Sequence, residues 1–139
     1  MKSCLSILLT FFLFLFSYQS FANSIVGRGV FCTKSSITDR YKKYVGIHIF
    51  DKKRIEVFTL KDGELKEEMH NYELNGLEIN FIPNIVERTR FSGTLDRKNL
   101  TAIIMKMDYQ CIAKDDEGFD FTLPKLKNYM LNLHQKIKK

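Results

Sequence analysis

Apolar and polar positions alternate with a period of two over most of the chain, most clearly across residues 44–60. Two runs, Tyr44-Val45-Gly46-Ile47-His48-Ile49-Phe50 and Ile55-Glu56-Val57-Phe58-Thr59-Leu60, flank the polar cluster Asp51-Lys52-Lys53-Arg54. Both runs are rich in β-branched and aromatic residues and too short for a typical helix, so the stretch reads as a β-hairpin. A three-residue loop at 51–53 puts Val45, Ile47, Ile49, Ile55 and Val57 on one face. It pairs His48 with Glu56 and Gly46 with Phe58 on the other, which is expected to meet solvent at His48. A two- or four-residue loop mixes the faces.

The same plan extends in both directions. Residues 30–34 form a first strand, with Val30 and Cys32 on one face and Phe31 and Thr33 on the other. Asp62-Gly63 is a tight-turn pair leading into a strand at 65–74. Asn75-Gly76 is the strongest turn signal in the chain; folding about it sets Leu74 against Leu77, Tyr72 against Ile79 and His70 against Phe81. Pro83-Asn84 stops the returning strand, and further strands are expected at 87–95, 100–105 and 107–113. The link Asp96-Arg97-Lys98-Asn99 repeats the pattern of Asp51-Lys52-Lys53-Arg54. A turn that favours Asp at its start and solvated charges at its tip accounts for both without an internal duplication. With the central hairpin counted as one unit, this makes about seven strands.

From Thr122 the period changes. Leu126, Met130, Leu133 and Ile137 recur as one stripe of an amphipathic helix over 122–138. Thr122 suits the N-cap, Pro124 is tolerated in the first turn, and Lys136, Lys138 and Lys139 complement the dipole at the far end.

Residues 1–22 stand outside this pattern. Lys2 precedes an almost wholly apolar run at 5–16, and Ser20-Phe21-Ala22 supplies small residues at a cleavage site. That is the layout of a secretory signal peptide, and a run of about 12 is short of the ~20 residues that span a bilayer. The expected mature chain, 23–139, is a single domain. It keeps two cysteines, Cys32 and Cys111, which in an exported protein pair most simply as a disulfide. Such a bond needs Cα atoms within about 7 Å and so brings the first strand beside the last. The fold expected is mainly β: a small antiparallel up-and-down barrel or strongly curved meander, with one C-terminal amphipathic α-helix. The helix either covers Phe31 and Phe58 from outside or caps one mouth.

Charge narrows the partners. Loss of Lys2 takes the basic count from 22 to 21 against 16 acidic residues, leaving a net +5, too dilute to indicate a nucleic-acid partner. The abundance of Lys, Asn, Ile and Phe fits an AT-rich bacterial coding background. His48, His70 and His134 fall in three different elements without metal-ligand spacing. No serine occupies a nucleophile elbow, the carboxylates are scattered over turns and solvent faces, and phosphate-binding glycine loops are missing. Neither an enzyme nor a cofactor or metal is expected. Between Leu123 and Lys139 there is no acidic residue, while Lys125, Lys127, Lys136, Lys138 and Lys139 are basic. This helix either lies on an anionic membrane or envelope surface or packs its apolar stripe on the sheet, and packing is the commoner fate.

In architecture alone the pattern resembles small exported bacterial β-barrel proteins, among them calycin-like ligand carriers and periplasmic lysozyme inhibitors. The Gly-x-Trp signature of lipocalins is excluded because the chain has no Trp. The function expected is a non-enzymatic binding module of the periplasm or exterior that recognises a protein or a small ligand. Loops such as 35–43 are expected to do so ahead of an internal cavity, since Ile, Phe, Leu and Tyr fill a small barrel. The alternative is an envelope-associated structural protein that uses the lysine helix.

Overall fold

The computed structural model describes residues 25–35, 44–83 and 91–137. The leader at 1–22, most of the 35–43 connection, the start of the strand expected at 87–95, and Lys138 and Lys139 lie outside the described residues. Eight strands follow one another: β1 Gly29–Lys34, β2 Tyr44–Ile49, β3 Arg54–Lys61, β4 Glu64–Asn75, β5 Glu78–Ile82, β6 Gly93–Asp96, β7 Thr101–Ile104 and β8 Met107–Ile112. Each pairs antiparallel with the next, and β8 returns to β1, so the sheet is a closed barrel and not an open meander. The expected count of about seven becomes eight because the two runs of the central hairpin are separate strands. Among the described residues one helix, α1 Leu123–Ile137, follows the barrel.

The central hairpin has the expected register, with Gly46 opposite Phe58, Ile47 opposite Val57 and His48 opposite Glu56. The Asp62-Gly63 turn joins β3 to β4, with Lys61 opposite Glu64. The next hairpin differs from expectation by two residues: Leu74 faces Ile79, Tyr72 faces Phe81 and Asn75 faces Glu78. The turn is centred on Gly76-Leu77, with Gly76 at φ 62° as the first central residue of a type II′ turn, where glycine is needed. A slip of two preserves the faces, so hydrophobic alternation alone does not choose between these registers. Strand β4 is shared: residues 64–71 pair with β3 and 71–75 with β5, the stagger that a closed, tilted barrel requires.

Side chains pointing inward make one core, including Val45, Ile47, Ile49, Ile55, Val57, Tyr72, Ile79, Phe81, Leu95, Ala102, Ile104 and Tyr109. Cys32 and Cys111 belong to it. They lie directly opposite each other on β1 and β8, with Cα atoms 4.0 Å apart and a disulfide between them.

On the outer face, α1 covers Phe31 and Phe58 and does not cap a mouth. Leu126 and Met130 are fully buried with Phe31, Phe58 and Phe121, and Leu133 packs at the edge. The backbone carbonyl of Thr122 accepts the first helical hydrogen bond, from Leu126 at 2.9 Å, as an N-cap residue should. Ile137, the fourth stripe position, ends the helix, and its side chain is outside the described residues. Close approach is possible because β2 presents Gly46 to the helix: a Cβ there would lie 2.6 Å from Met130 Sδ and 3.3 Å from Leu126 Cδ2. Also on this outer face, His48 Nδ1 lies 2.7 Å from a carboxyl oxygen of Glu56. Both residues are buried, at 6% and 5% exposure, so the expected pairing is present but the expected solvent is not. Burial of two such polar groups is tolerable because each satisfies the other.

Two outcomes follow for stability. Replacing both Cys32 and Cys111 by Ser opens a closure of sequence separation 79. It should cost about 4 kcal/mol in urea unfolding, since the crosslink restricts the unfolded chain. A Gly46→Val side chain should lift α1, costing about 1–3 kcal/mol through overpacking. Amide hydrogen exchange would then accelerate over 126–133 more than over β5–β7, since α1 packs mainly on β1–β4.

Candidate functional site

Up-and-down order sends alternate connections to opposite ends of the barrel. One end, called upper here, gathers the loop at 50–53, the turn at 76–77, the loop at 97–100, the segment 25–28 that enters β1 and the segment 113–121 that leaves β8. The two aspartate-led tips share this end and share a geometry. Asp51 Oδ1 accepts from the backbone N–H groups of Lys53 and Arg54, both at 2.8 Å, and Oδ2 accepts from Arg54 Nε at 2.7 Å. Asp96 Oδ1 accepts from Lys98 at 2.8 Å and Asn99 at 3.1 Å, and Oδ2 from the Asn99 side-chain amide at 2.8 Å. These donors stabilise the ionised carboxylate, chiefly the Lys53 amide for Asp51 and the Asn99 amide for Asp96, and hold both below the ordinary range. Tyr72 ties the first tip to β4: its hydroxyl donates to the Asp51 carbonyl at 2.7 Å and its N–H to the Lys53 carbonyl at 2.9 Å. Burial, and then the Asp51 charge, push its phenol up.

The mouth at this end is narrowed by the residues before β1. Gly27 N–H donates to the Ile49 carbonyl at 2.8 Å, and Ile49 N–H donates to the Arg28 carbonyl at 2.9 Å. The ladder between the first two strands therefore runs past β1 and folds Ile25 inward, leaving it 8% exposed. Beneath lies a cavity of about 200 Å³. Its walls are aliphatic, with Val30, Ile47, Ile49, Ile79 and Leu95 among them, while Arg28, Arg97 and Asp120 stand at its border. Arg97 is held in place by two carbonyls of the 76–77 turn: Nε donates to Leu77 at 3.2 Å and Nη2 to Gly76 at 3.0 Å. Around the same end Phe50, Leu74, Leu77 and Phe119 are 42–55% exposed.

The lower end is different in kind. Its cavity is about 50 Å³, lined in part by Glu68, Phe91, Met105, Met107 and Tyr109. That is room for about one or two water molecules. His70, expected only to flank a hairpin, is buried here: its Nε2 lies 3.1 Å from a Glu68 carboxyl oxygen and its ring stacks on Phe91 at 4.4 Å. Its Nδ1 is buried without a hydrogen-bond partner, as is His134 Nε2 on the helix.

Among the described residues, no three His, Cys, Asp or Glu side chains converge as metal ligands would. The helix lysines are dispersed. Lys127 pairs with Glu67 at 3.3 Å and sits over the Phe58 ring at 5.1 Å, Lys125 sits over the Phe119 ring at 4.2 Å, and Lys136 is exposed. Cys32 and Cys111 are joined far from any nucleophilic role. Of the cations at the cavity, Arg97 was visible in sequence only as a member of a basic tip, and Arg28 only as a residue preceding the first strand. That both line one cavity depends on which turns share an end. No protein-family model matches the chain, and neither a curated protein nor a solved structure matches it.

The tips give a pH prediction. Both carboxyls have folded pKa values below the reference 3.8. Their stabilisation is therefore complete above that value and is lost as pH falls through the lower folded values. In an NMR acid titration, the amide protons of Lys53, Arg54, Lys98 and Asn99 should move with midpoints below 3.8. Asp51→Asn should abolish the transition at Lys53 and Arg54 and leave it at Lys98 and Asn99.

Proposed function

We propose that the protein is an exported, non-enzymatic binding module that takes a small ligand into the upper mouth of its barrel. The observation that carries this reading is the cavity of about 200 Å³ with aliphatic walls and a partly charged border. A concave apolar site with a few fixed polar groups is the usual form of a small-molecule site. An engineered apolar cavity of about 150 Å³ is already enough for benzene. The Cys32–Cys111 bond fits an oxidising compartment, and the leader-like pattern at 1–22 supports export to the periplasm or beyond.

A second reading, recognition of a protein by the rim, is favoured by Phe50, Leu74, Leu77 and Phe119, which stand exposed around the same end. For the envelope-associated reading, the helix offers lysines but no free apolar stripe. The apolar stripe of α1 at Leu126 and Met130 is spent on the barrel, and Lys127 is paired with Glu67, leaving Lys125 and Lys136 as described lysines on the outer side.

Native mass spectrometry of the protein recovered from its own exported pool, before and after denaturation, separates these readings. The expected result is an extra mass of small-molecule size that is released on unfolding. A second polypeptide in its place would support the rim, and a bare monomer would count against a resident ligand.

A further inference from the structure

The border of the upper cavity is more specific than its walls, and from it the geometry points to a ligand class: a small amphipathic anion, with an aliphatic or aromatic tail of about eight carbons and a carboxylate-type head. This rests on the reading of the cavity as a ligand site and goes beyond it by assigning the head group. The tail length follows from volume, because a cavity of about 200 Å³ exceeds the ~150 Å³ that accepts benzene by only a few carbons. The tail would lie among Ile47, Ile49, Ile79 and Leu95, all buried and all without a polar side-chain atom.

The head-group assignment follows from the two arginines. Arg97 is oriented by carbonyls, which fix the guanidinium without cancelling its charge. Among the described residues the Arg28 side chain has neither a hydrogen-bond nor an ion-pair partner, although it borders an apolar cavity. An oriented guanidinium and a free one lining the same cavity suit a planar anion, which can accept paired N–H bonds. Beside an aliphatic wall, the two charges also oppose occupation by a cationic amphipath. Asp120 borders the same cavity and works against an anion. Its position makes the proposal testable in both directions: removing an arginine weakens binding, while removing this carboxylate strengthens it.

Calorimetric titration of the oxidised protein with octanoate, 1-octanol and octylammonium chloride tests this. Octanoate should bind at least tenfold more tightly than either of the other two and lose affinity as salt is raised, while 1-octanol should be insensitive to salt. Arg28→Gln lies on the surface and leaves the core intact. It should weaken octanoate at least threefold without changing 1-octanol, and Asp120→Asn should tighten octanoate. Ala113→Phe, at the border of the cavity, should reduce binding of both probes by obstructing the entrance. If octanoate and 1-octanol bind equally, and both are blocked by Ala113→Phe, the cavity is a ligand site but the head-group assignment is wrong. If none of the three probes binds to the folded wild-type protein, the cavity reading fails and this inference falls with it.

Discussion

The pairing of β1 with β8 is the constraint on which the remaining geometry depends. An eight-strand meander is a sheet with two bare edges until its first and last strands meet, and bare edges invite pairing between chains. Here Phe31 lies opposite Ile112 and Thr33 opposite Gln110, while Cys32 and Cys111 between them are covalently joined. The bond sits inside the barrel at the seam, where it both holds the closure and fills core volume. Closure in turn defines an interior with two ends. A cavity at one mouth has meaning only because the wall around it is continuous.

The two faces of that wall are used differently. Inward positions carry branched aliphatic and aromatic side chains in the alternation that a half-buried strand needs. Outward positions on the first three strands carry Gly46, Phe31 and Phe58, a shallow apolar bed on which α1 lies. The helix therefore acts as an external splint over the strands next to the seam, leaving both mouths uncapped by it. That choice separates the upper mouth from the helix's apolar stripe. It leaves Ile25, Arg28 and Arg97 to shape the entrance.

Much of this architecture was legible in the sequence for identifiable reasons. Alternation around 44–60, with a loop of fixed length, sets the register of β2 on β3, because a shift of one residue would move Ile47 and Val57 out of the core. The cysteine pair and the sequential strands together implied closure. The turn at Gly76-Leu77 was misplaced because a two-residue slip keeps Tyr72, Ile79 and Phe81 on the same face, and the strong Asn-Gly signal pointed one residue too early. The burial of His48 and Glu56 was hidden for a different reason: they occupy outward positions that a free hairpin would expose, and the assembled protein buries them. Their mutual hydrogen bond could be read from strand pairing, but their solvent exclusion could not. The cavity was the least legible feature of all, since it depends on the inward fold of Ile25 and on which end of the barrel holds both Arg28 and Arg97.

The most direct measurement is a methyl-detected NMR titration of the oxidised protein with octanoate, which reports where a small amphipath sits without assuming its affinity. Shift changes and intermolecular NOEs should concentrate on Ile47, Ile49, Ile79 and Leu95 and leave Val57 and Ile104 at the opposite end unmoved. Changes confined to the exposed rim at Leu74 and Leu77, with the interior methyls silent, would contradict a ligand site within the barrel.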